Sequence, residues 1–287
     1  MAAGGEARII RIDDPDDPRI LEFHAIRERD LTGRQSRFIA EGTVVLWMLA
    51  AAHAGGGGFV AEKILLLENR VAGLQAELAA FPADVPVYVA SSTVLDAIAG
   101  FHLHRGVLAL GYRSHQPDAA ELLETLPDTA LVVCAAGISN HDNIGSIFRN
   151  AAAFGADAVL LDETCCDPLY RKALRVSVGA VLKVPYARGG SIEANLSVLV
   201  QRGFDVWALS PSGKTEMGSL SAAPRMALVT GTEGSGLPAA ILDRFNTARI
   251  AQAPGLDSLN AATATGIALY LLASAQGRLQ TDGTAGS

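Results

Sequence analysis

Residues 228–237, which read Leu-Val-Thr-Gly-Thr-Glu-Gly-Ser-Gly-Leu, constrain the fold of this chain more than any other segment. A short apolar strand runs directly into a turn that carries three glycines. Such a turn leaves backbone N–H and C=O groups uncovered, because glycine has no side chain to shield them. The segment therefore predicts a strand that presents its main chain to a small ligand.

Two further segments accompany this turn in a fixed order. Residues 143–149 read Asn-Ile-Gly-Ser-Ile-Phe-Arg, and residues 257–260 read Asp-Ser-Leu-Asn directly before an alanine-rich stretch. The second of these offers a hydroxyl and an amide near a predicted helix start. Three spaced elements in order are far more specific than one glycine run.

Apolar runs that alternate with helical periodicity predict an α/β protein with two domains. The boundaries are 11–114 and 129–277, joined by an acidic linker at 115–128 and followed by a disordered tail at 278–287. Residues 41–54 are predicted to be helical, because Val44, Val45, Met48 and Ala51/Ala52 follow helical spacing. Helices are also predicted over 173–183 and 258–275.

Composition excludes several classes of protein. Of the 287 residues, 49% are hydrophobic and 6% are aromatic, which suits an alanine- and leucine-rich α/β protein. No apolar run is long enough to span a bilayer, and residues 1–8 lack a signal-peptide core, so we expect a cytoplasmic protein without a membrane partner. The three cysteines and six histidines have no zinc-ligand spacing, so no metal is expected.

Charge leaves the question of nucleic-acid binding open. The formal charge of −7 argues against a non-specific nucleic-acid coat, which requires clustered cations. Two basic clusters nevertheless occur, and either could form a local basic surface or a solvated helix face. The first comprises Arg27, Arg29, Arg34 and Arg37, and the second comprises Arg171, Lys172 and Arg175.

Two familiar nucleotide motifs fail on geometry. The glycines of residues 231–236 have the spacing G-x-x-G-x-G, whereas a dinucleotide-binding turn needs G-x-G-x-x-G and a helix where Pro238 stands. Residues 212–215, Ser-Gly-Lys-Thr, lack the glycine that opens a phosphate-binding loop, because position 208 is Ala.

The ordered set of three motifs resembles the SpoU (TrmH-type) branch of the SPOUT RNA methyltransferases. The likeness covers residues 131–272, through 140–151, 228–237 and 258–260. Residues 20–113 are more weakly similar to the ribosomal-protein-like substrate-binding domain that often precedes this catalytic domain, most clearly at Phe-Ile-Ala-Glu-Gly, residues 38–42.

This resemblance implies methyl transfer from S-adenosyl-L-methionine to a ribose 2′-hydroxyl in RNA. It also implies a C-terminal SPOUT α/β domain with a deep trefoil knot, preceded by a small α/β RNA substrate-binding domain, and assembly as a homodimer. Ribosomal RNA is the favoured substrate because of the large N-terminal domain. Transfer RNA, or an inactive RNA-binding relative, remain alternatives, while a nucleotide-dependent oxidoreductase is disfavoured by the failed fingerprint.

The resemblance also assigns site residues, and several have a structural alternative. Asn143 could cap its helix, Arg149 could form a surface salt bridge, and Ser258 could cap the last helix. Phe148, Phe154 and Tyr270 are expected in the core. The implied catalytic residues are Asn143, Arg149, Glu233, Ser258 and Asn260, and the implied cofactor-binding residues are Thr230, Gly231, Glu233, Gly234, Ile250, Ala251, Ser258 and Leu259.

The chain departs from the family pattern in two places. Asn140-His141-Asp142 stands where the family has Asp-Pro-x, with Ile144 in place of a leucine. Before the third motif the family has Ile-Pro-Met, whereas residues 250–255 read Ile-Ala-Gln-Ala-Pro-Gly. The pattern therefore does not fix the backbone path across 250–256.

Overall fold

The computed structural model of this chain describes residues 9–24, 32, 36–99, 106–232, 234–255 and 258–279. These residues form two compact units. The first takes the described residues up to Gln116 together with Asp167–Lys183, and the second takes Pro117–Cys166 and the described residues from Val184 onward. The units differ from the predicted domains in two places, because 117–128 joins the second unit and 167–183 joins the first.

The first unit is built on a mixed five-stranded sheet. The strands of this unit are β1 (Ile9–Ile12), β2 (Arg37–Glu41), β3 (Phe59–Leu67), β4 (Val87–Ala90) and β5 (Val107–Arg113), and its first three helices are α1 (Thr43–Ala54), α2 (Gln75–Ala79) and α3 (Ser92–Ala99). The strand order in the sheet is β1-β4-β3-β5-β2. The apolar run of β3 suits its central position, where it is parallel to β4 and antiparallel to β5.

The helix predicted over 41–54 is present as α1, but its apolar spacing does not mark the buried side. Val45 is buried together with Leu46, Leu49 and Ala50, whereas Val44 and Trp47 are 55% and 56% exposed. The helix is apolar around most of its circumference, so its periodicity does not single out one face. Packing against the sheet decides which side is buried.

The predicted helix over 173–183 ends early. Helix α6 spans Arg171–Val176, and a 3-10 turn follows at Ala180–Leu182. Between them Val178 and Gly179 have positive φ values of 49° and 81°. A Cβ at Gly179 would lie 2.7 Å from Met48 of the same unit, so the close approach of the two segments requires glycine there.

Two residues of the second basic cluster, Arg171 and Arg175, form ion pairs inside the first unit. Glu41, at the end of β2, is buried, and its carboxylate pairs with Arg171 at 3.6 Å and with Arg175 at 3.3 Å. A buried carboxylate needs such partners, because an unpaired charge is costly away from water. These arginines therefore stabilise the first unit. In the first cluster Arg37 pairs with Glu62 at 3.0 Å, and Arg27, Arg29 and Arg34 lie outside the described residues.

The second unit contains, in its described part, a parallel seven-stranded sheet. The strands of this unit are β6 (Ala130–Ala135), β7 (Ala158–Leu161), β8 (Tyr186–Arg188), β9 (Asp205–Leu209), β10 (Thr215–Glu216), β11 (Arg225–Thr230) and β12 (Asn246–Arg249), and its helices are α4 (Ala119–Glu124), α5 (His141–Ala153), α7 (Ile192–Gln201), α8 (Ala239–Arg244) and α9 (Ala261–Ala275). The strand order in the sheet is β10-β12-β9-β11-β6-β7-β8. Every residue of β6 is buried, as expected for a parallel strand covered on both faces.

The strand order by itself indicates where a ligand would bind to this sheet. The chain moves outward from β6 through β7 to β8, then crosses to β9 on the other side and returns with β11 between β9 and β6. Thr230 pairs with Ala135, so β11 and β6 end together. Ligands of open parallel sheets bind outside the carboxyl ends of the strands at such a reversal.

The end of the described chain is anchored. The Arg278 guanidinium donates to the carbonyl oxygens of Gly155 and Thr129 and pairs with Asp157 at 2.9 Å. The predicted disordered tail therefore does not begin at 278, and residues 280–287 lie outside the described residues. Among the described residues, no helix combines the length and apolar composition that crossing a bilayer requires.

Candidate active site

A cavity of about 500 Å³ opens at the carboxyl ends of β9, β11 and β12, beside the start of α9. Its wall therefore comes from loops that are far apart in sequence. Small-molecule sites commonly have about 300–1,000 Å³, so this cavity can enclose a ligand of that class. The lining comprises Leu209–Ser212, Thr230–Thr232, Gly234–Leu237, Leu242, Ile250, Gln252, Ser258–Ala261 and Ala264.

The glycine turn closes on itself. Gly236 N–H donates to Thr232 O at 3.2 Å, and the hydroxyls of Thr232 and Ser235 lie 2.7 Å apart. A Cβ at Gly231 would lie 2.6 Å from the carbonyl carbon of Gly236, which is closer than real Cβ atoms approach. Gly234 has a φ of +90°, which favours glycine. Position 231 thus requires glycine because the Gly236 backbone lies so close, and position 234 favours glycine because of its positive φ.

Six of the predicted cofactor-binding residues line this cavity. Ala251 does not, and it is exposed. Ile250 and Gln252 on either side of it both line the cavity. Gln252 was missed by the sequence analysis, and Glu233 lies outside the described residues. The six residues are Thr230, Gly231, Gly234, Ile250, Ser258 and Leu259.

Two asparagines join the first and third motifs. Asn260 Nδ2 donates to Asn143 Oδ1 at 2.9 Å, and Asn143 is buried within the first turn of α5. The cap of α5 is Asn140, whose side chain accepts from Asp142 N–H, so the alternative role of Asn143 as a helix cap is wrong.

The same amide of Asn260 also starts the last helix. Its Oδ1 accepts from Thr263 N–H at 3.1 Å, so Asn260, and not Ser258, is the N-cap of α9. Ser258 is exposed to the cavity. The predicted start of this helix at 258 is therefore three residues too early.

Farther along the same two helices, a second amide holds them together. Asn150 Nδ2 donates to Ala262 O at 2.9 Å. A Cβ at Gly266 would lie 2.7 Å from that amide, so glycine allows the helices to approach closely. Asn143 and Asn150 are seven residues apart and share one helix face.

Arg149 lies elsewhere on α5. It lies six positions after Asn143, which places it about 240° around the helix. Its side chain is exposed and does not line the cavity. None of the hydrogen bonds or ion pairs of the described residues involves Arg149, so the alternative role in a surface salt bridge is not formed with them.

A buried carboxylate organises the loop before α5. Asp162 Oδ1 accepts from the N–H groups of Gly137 and Thr164, each at 3.1 Å, and of Cys165 at 2.9 Å. A Cβ at Gly137 would lie 2.6 Å from the Thr232 methyl group, so this loop packs directly on the glycine turn. Asp162 could not be recognised as a site residue from the sequence, because its hydrogen-bond partners are mainly backbone N–H groups.

The buried cysteines are poor candidates for nucleophiles. Burial, with a further contribution from Asp162, raises the pKa of Cys165 to about 12. Burial also raises the pKa of Cys134. Both thiols therefore stay protonated near neutral pH. Among the described residues, no group of histidine, cysteine, aspartate and glutamate side chains could hold a metal ion.

The predicted core aromatics divide into two groups. Phe148 is fully buried against Tyr186, with ring centroids 5.3 Å apart. Tyr270 is 51% exposed, so its assignment to the core is wrong. It contacts the half-buried Phe154, with ring centroids 5.8 Å apart, beside a shallow groove that also includes the exposed Ile267.

Comparison with known proteins agrees with this architecture. The model of the SpoU rRNA Methylase family matches residues 130–270. An uncharacterized tRNA/rRNA methyltransferase of Mycobacterium tuberculosis is 39% identical over 266 residues, which make up 90% of this chain and 89% of the relative.

Two solved structures are similar over almost the whole chain. The AdoMet-bound rRNA methyltransferase from Sinorhizobium meliloti has a TM-score of 0.78 and 22% identity, and the match covers 95% of this chain and 99% of the other. An RNA 2′-O ribose methyltransferase has a TM-score of 0.74 and 25% identity, and the match covers 93% of this chain and 99% of the other. These likenesses confirm the predicted α/β class.

Proposed function

This chain belongs to the SpoU rRNA methylase family, and we propose that its S-adenosylmethionine-dependent RNA methyltransferase activity acts on a ribose 2′-hydroxyl. One observation carries this proposal: the loops after β9, β11 and β12 meet the start of α9 around a single cavity. The similar structure described as an RNA 2′-O ribose methyltransferase supports the choice of acceptor.

The cavity fits S-adenosylmethionine in size and chemistry. Its volume of about 500 Å³ can enclose an adenosyl group with an attached amino acid. The side chains of Leu209, Ile250 and Leu259 offer apolar surface for a purine, and the uncovered backbone of the glycine turn offers donors and acceptors. When bound, S-adenosylmethionine supplies a methyl group that its sulfonium already makes electrophilic.

The chain's own residues then have to place the acceptor hydroxyl. The bond between Asn260 and Asn143 fixes the amide of Asn260 at the cavity wall, where it can orient a polar group. We assign Arg149 to hold the RNA phosphate next to the reacting ribose. A guanidinium stays protonated in proteins, so it orients and neutralises rather than removing the proton. Ser258 and Glu233 are proposed to contact substrate or cofactor.

A homodimer would explain why Arg149 is exposed and does not line its own cavity. The surface formed by α5 and α9 carries the exposed Ile267 and Tyr270, large apolar side chains that a partner surface would cover. We therefore propose that two copies pair through this surface and that Arg149 serves the site of the partner subunit. The deep trefoil knot in the second unit is part of the same proposal, as in the family.

Ribosomal RNA is the proposed substrate, with the N-terminal part of the chain as its recognition domain. The mycobacterial relative is described as a tRNA/rRNA methyltransferase, so transfer RNA is the second candidate. We place the reaction in the cytoplasm, where both RNAs are found.

The test is direct. The purified protein is incubated with S-adenosylmethionine and either ribosomal RNA or transfer RNA that lacks 2′-O-methyl marks, and nucleosides are then identified by mass spectrometry. We expect a 2′-O-methylated nucleoside from ribosomal RNA. A methyl group on a base would refute the ribose assignment, and modification of transfer RNA alone would refute the ribosomal one.

Arg149→Ala provides the test of the assigned role. We expect methyl transfer to fall about a hundredfold or more, because substrate positioning is lost, while the affinity for S-adenosylhomocysteine stays unchanged. Lys172→Ala, an exposed cation on a different helix, is the matched control. Equal turnover of Arg149→Ala and the control would contradict the assignment.

A further inference from the structure

Helix α1 of the first unit carries an exposed apolar stripe. Val44, Trp47 and Ala51 are spaced by three and four residues, so they share one side of the helix, and all three are exposed. More than half of the Trp47 side chain is exposed, and no ring contact or hydrogen bond within the described part of the chain involves its indole. A large aromatic side chain in an exposed apolar patch indicates an interaction site.

A groove of about 330 Å³ lies beside Trp47, within the same unit. One wall comes from α1, and the other comes from the end of the 3-10 turn that follows Gly179. The close approach of Gly179 to Met48 fixes the two walls relative to each other. Besides two glycines, the groove is lined by Trp47, Met48, Ala51, Ala52, Leu182 and Lys183.

The charges of the segments that form this groove have one sign. Residues 43–57 and 168–183 contain no aspartate or glutamate, although the formal charge of the whole chain is −7. Lys183 is exposed, and none of the hydrogen bonds or ion pairs of the described residues involves its amine. The groove therefore combines an apolar floor, a flat aromatic wall and a cation that can meet an anionic group on a ligand.

An unpaired nucleotide has the matching chemistry. Its base offers a flat face that stacks on aromatic side chains, and its phosphate offers a negative charge to lysine. A protein surface matches less well, because lysine is depleted in interfaces between proteins. We propose that Trp47 stacks on an unpaired base of the RNA and that Lys183 binds a phosphate of the same strand. This proposal rests on the proposed function, in which the N-terminal part of the chain recognises RNA.

Fluorescence of the full-length protein tests the stacking directly. The chain has two tryptophans, and the other, Trp207, is half-buried and donates its indole N–H to Asp205 at 2.8 Å. In Trp207→Phe the fluorescence therefore reports Trp47 alone. A single-stranded oligoadenylate of about ten nucleotides should quench it, whereas a fully paired RNA duplex should not. Trp47→Phe is the matched control, because its remaining tryptophan lies outside the groove and should not be quenched.

The affinity for the same labelled oligoadenylate, measured by fluorescence anisotropy, tests both side chains. Trp47→Ala should bind about tenfold more weakly, because one stacked base is lost. Lys183→Gln should also bind more weakly, and the slope of log affinity against log salt should fall by about 0.7, because one phosphate contact is lost. Val44→Ala is the matched control, since Val44 is as exposed as Trp47 but does not line the groove, and it should bind as wild type does.

Several results would overturn the proposal. The absence of quenching in Trp207→Phe would do so, as would an equal loss of affinity in Val44→Ala and Trp47→Ala. If Trp47→Ala instead splits an RNA-free assembly in sedimentation, the groove is an interface between copies of the chain. If Trp47→Ala fails to fold, the fluorescence titration decides, because it uses conservative substitutions. A wild type that methylates RNA without quenching refutes this proposal alone, whereas a wild type that methylates no RNA refutes the proposed function.

Discussion

Asn260 makes two contacts with one amide, and substitutions can separate them. Its Oδ1 caps α9 through Thr263 N–H, and its Nδ2 donates to Asn143. Loss of an N-cap costs about 1 kcal/mol, and loss of one neutral hydrogen bond costs about 1 kcal/mol. Asn260→Ala should therefore lower the free energy of unfolding by about 2 kcal/mol, whereas Asn260→Ser keeps a capping oxygen and should lower it by about 1 kcal/mol.

Thermal unfolding followed by circular dichroism measures these differences. For a unit of this size 1 kcal/mol corresponds to about 2–4 °C, so we expect decreases of about 4–8 °C for Asn260→Ala and about 2–4 °C for Asn260→Ser. Ser191→Ala is the matched control, because it removes only the cap of α7 in the same unit. If Asn260→Ser has the melting temperature of wild type, the hydrogen bond to Asn143 contributes nothing to stability. If Asn260→Ser has the melting temperature of Asn260→Ala, the capping argument is wrong.

Three further changes test the site. Gly231→Ala forces a Cβ to within 2.6 Å of the Gly236 backbone, so it should cost about 1–3 kcal/mol and weaken binding of S-adenosylhomocysteine. Gly218→Ala is the control, because its added Cβ meets no atom within 4 Å, and it should leave both stability and ligand binding unchanged. If calorimetry finds the same ligand affinity for the two variants, the close-approach argument is refuted. Asp162→Ala removes the acceptor of several buried N–H groups and should cost about 3 kcal/mol in chemical denaturation; a loss below about 1 kcal/mol would show that water replaces it. The pKa of Cys165 is raised from 9.0 to about 12, because burial favours the neutral thiol in the folded chain. The contribution of this thiol to the free energy of unfolding is therefore complete below pH 9 and is lost as the pH rises toward 12. Iodoacetamide at pH 8 should label Cys166, which is only half-buried, long before Cys165, and equal labelling in a peptide map would contradict the burial argument.

The sequence predicted those features that depend on local patterns. Short apolar runs coincide with β7 and β9, because such a run between turn residues has few alternatives in a parallel sheet. The shorter strands β8, β10 and β12 were not predicted. The three ordered motifs identified the family before any contact was known. Burial was predicted less well, since Tyr270 resembles a core residue until its neighbours are placed. The apolar circumference of α1 likewise does not single out its buried side.

The tertiary structure decided which residues meet. The bond between Asn143 and Asn260 joins positions more than a hundred residues apart, and the pairing of Glu41 with Arg171 and Arg175 joins positions equally distant. Local propensity does not encode such contacts, because they depend on the order of strands in the sheet. A sequence shows that an asparagine stands at 143, but only the folded chain shows that its amide oxygen accepts a hydrogen bond from Asn260.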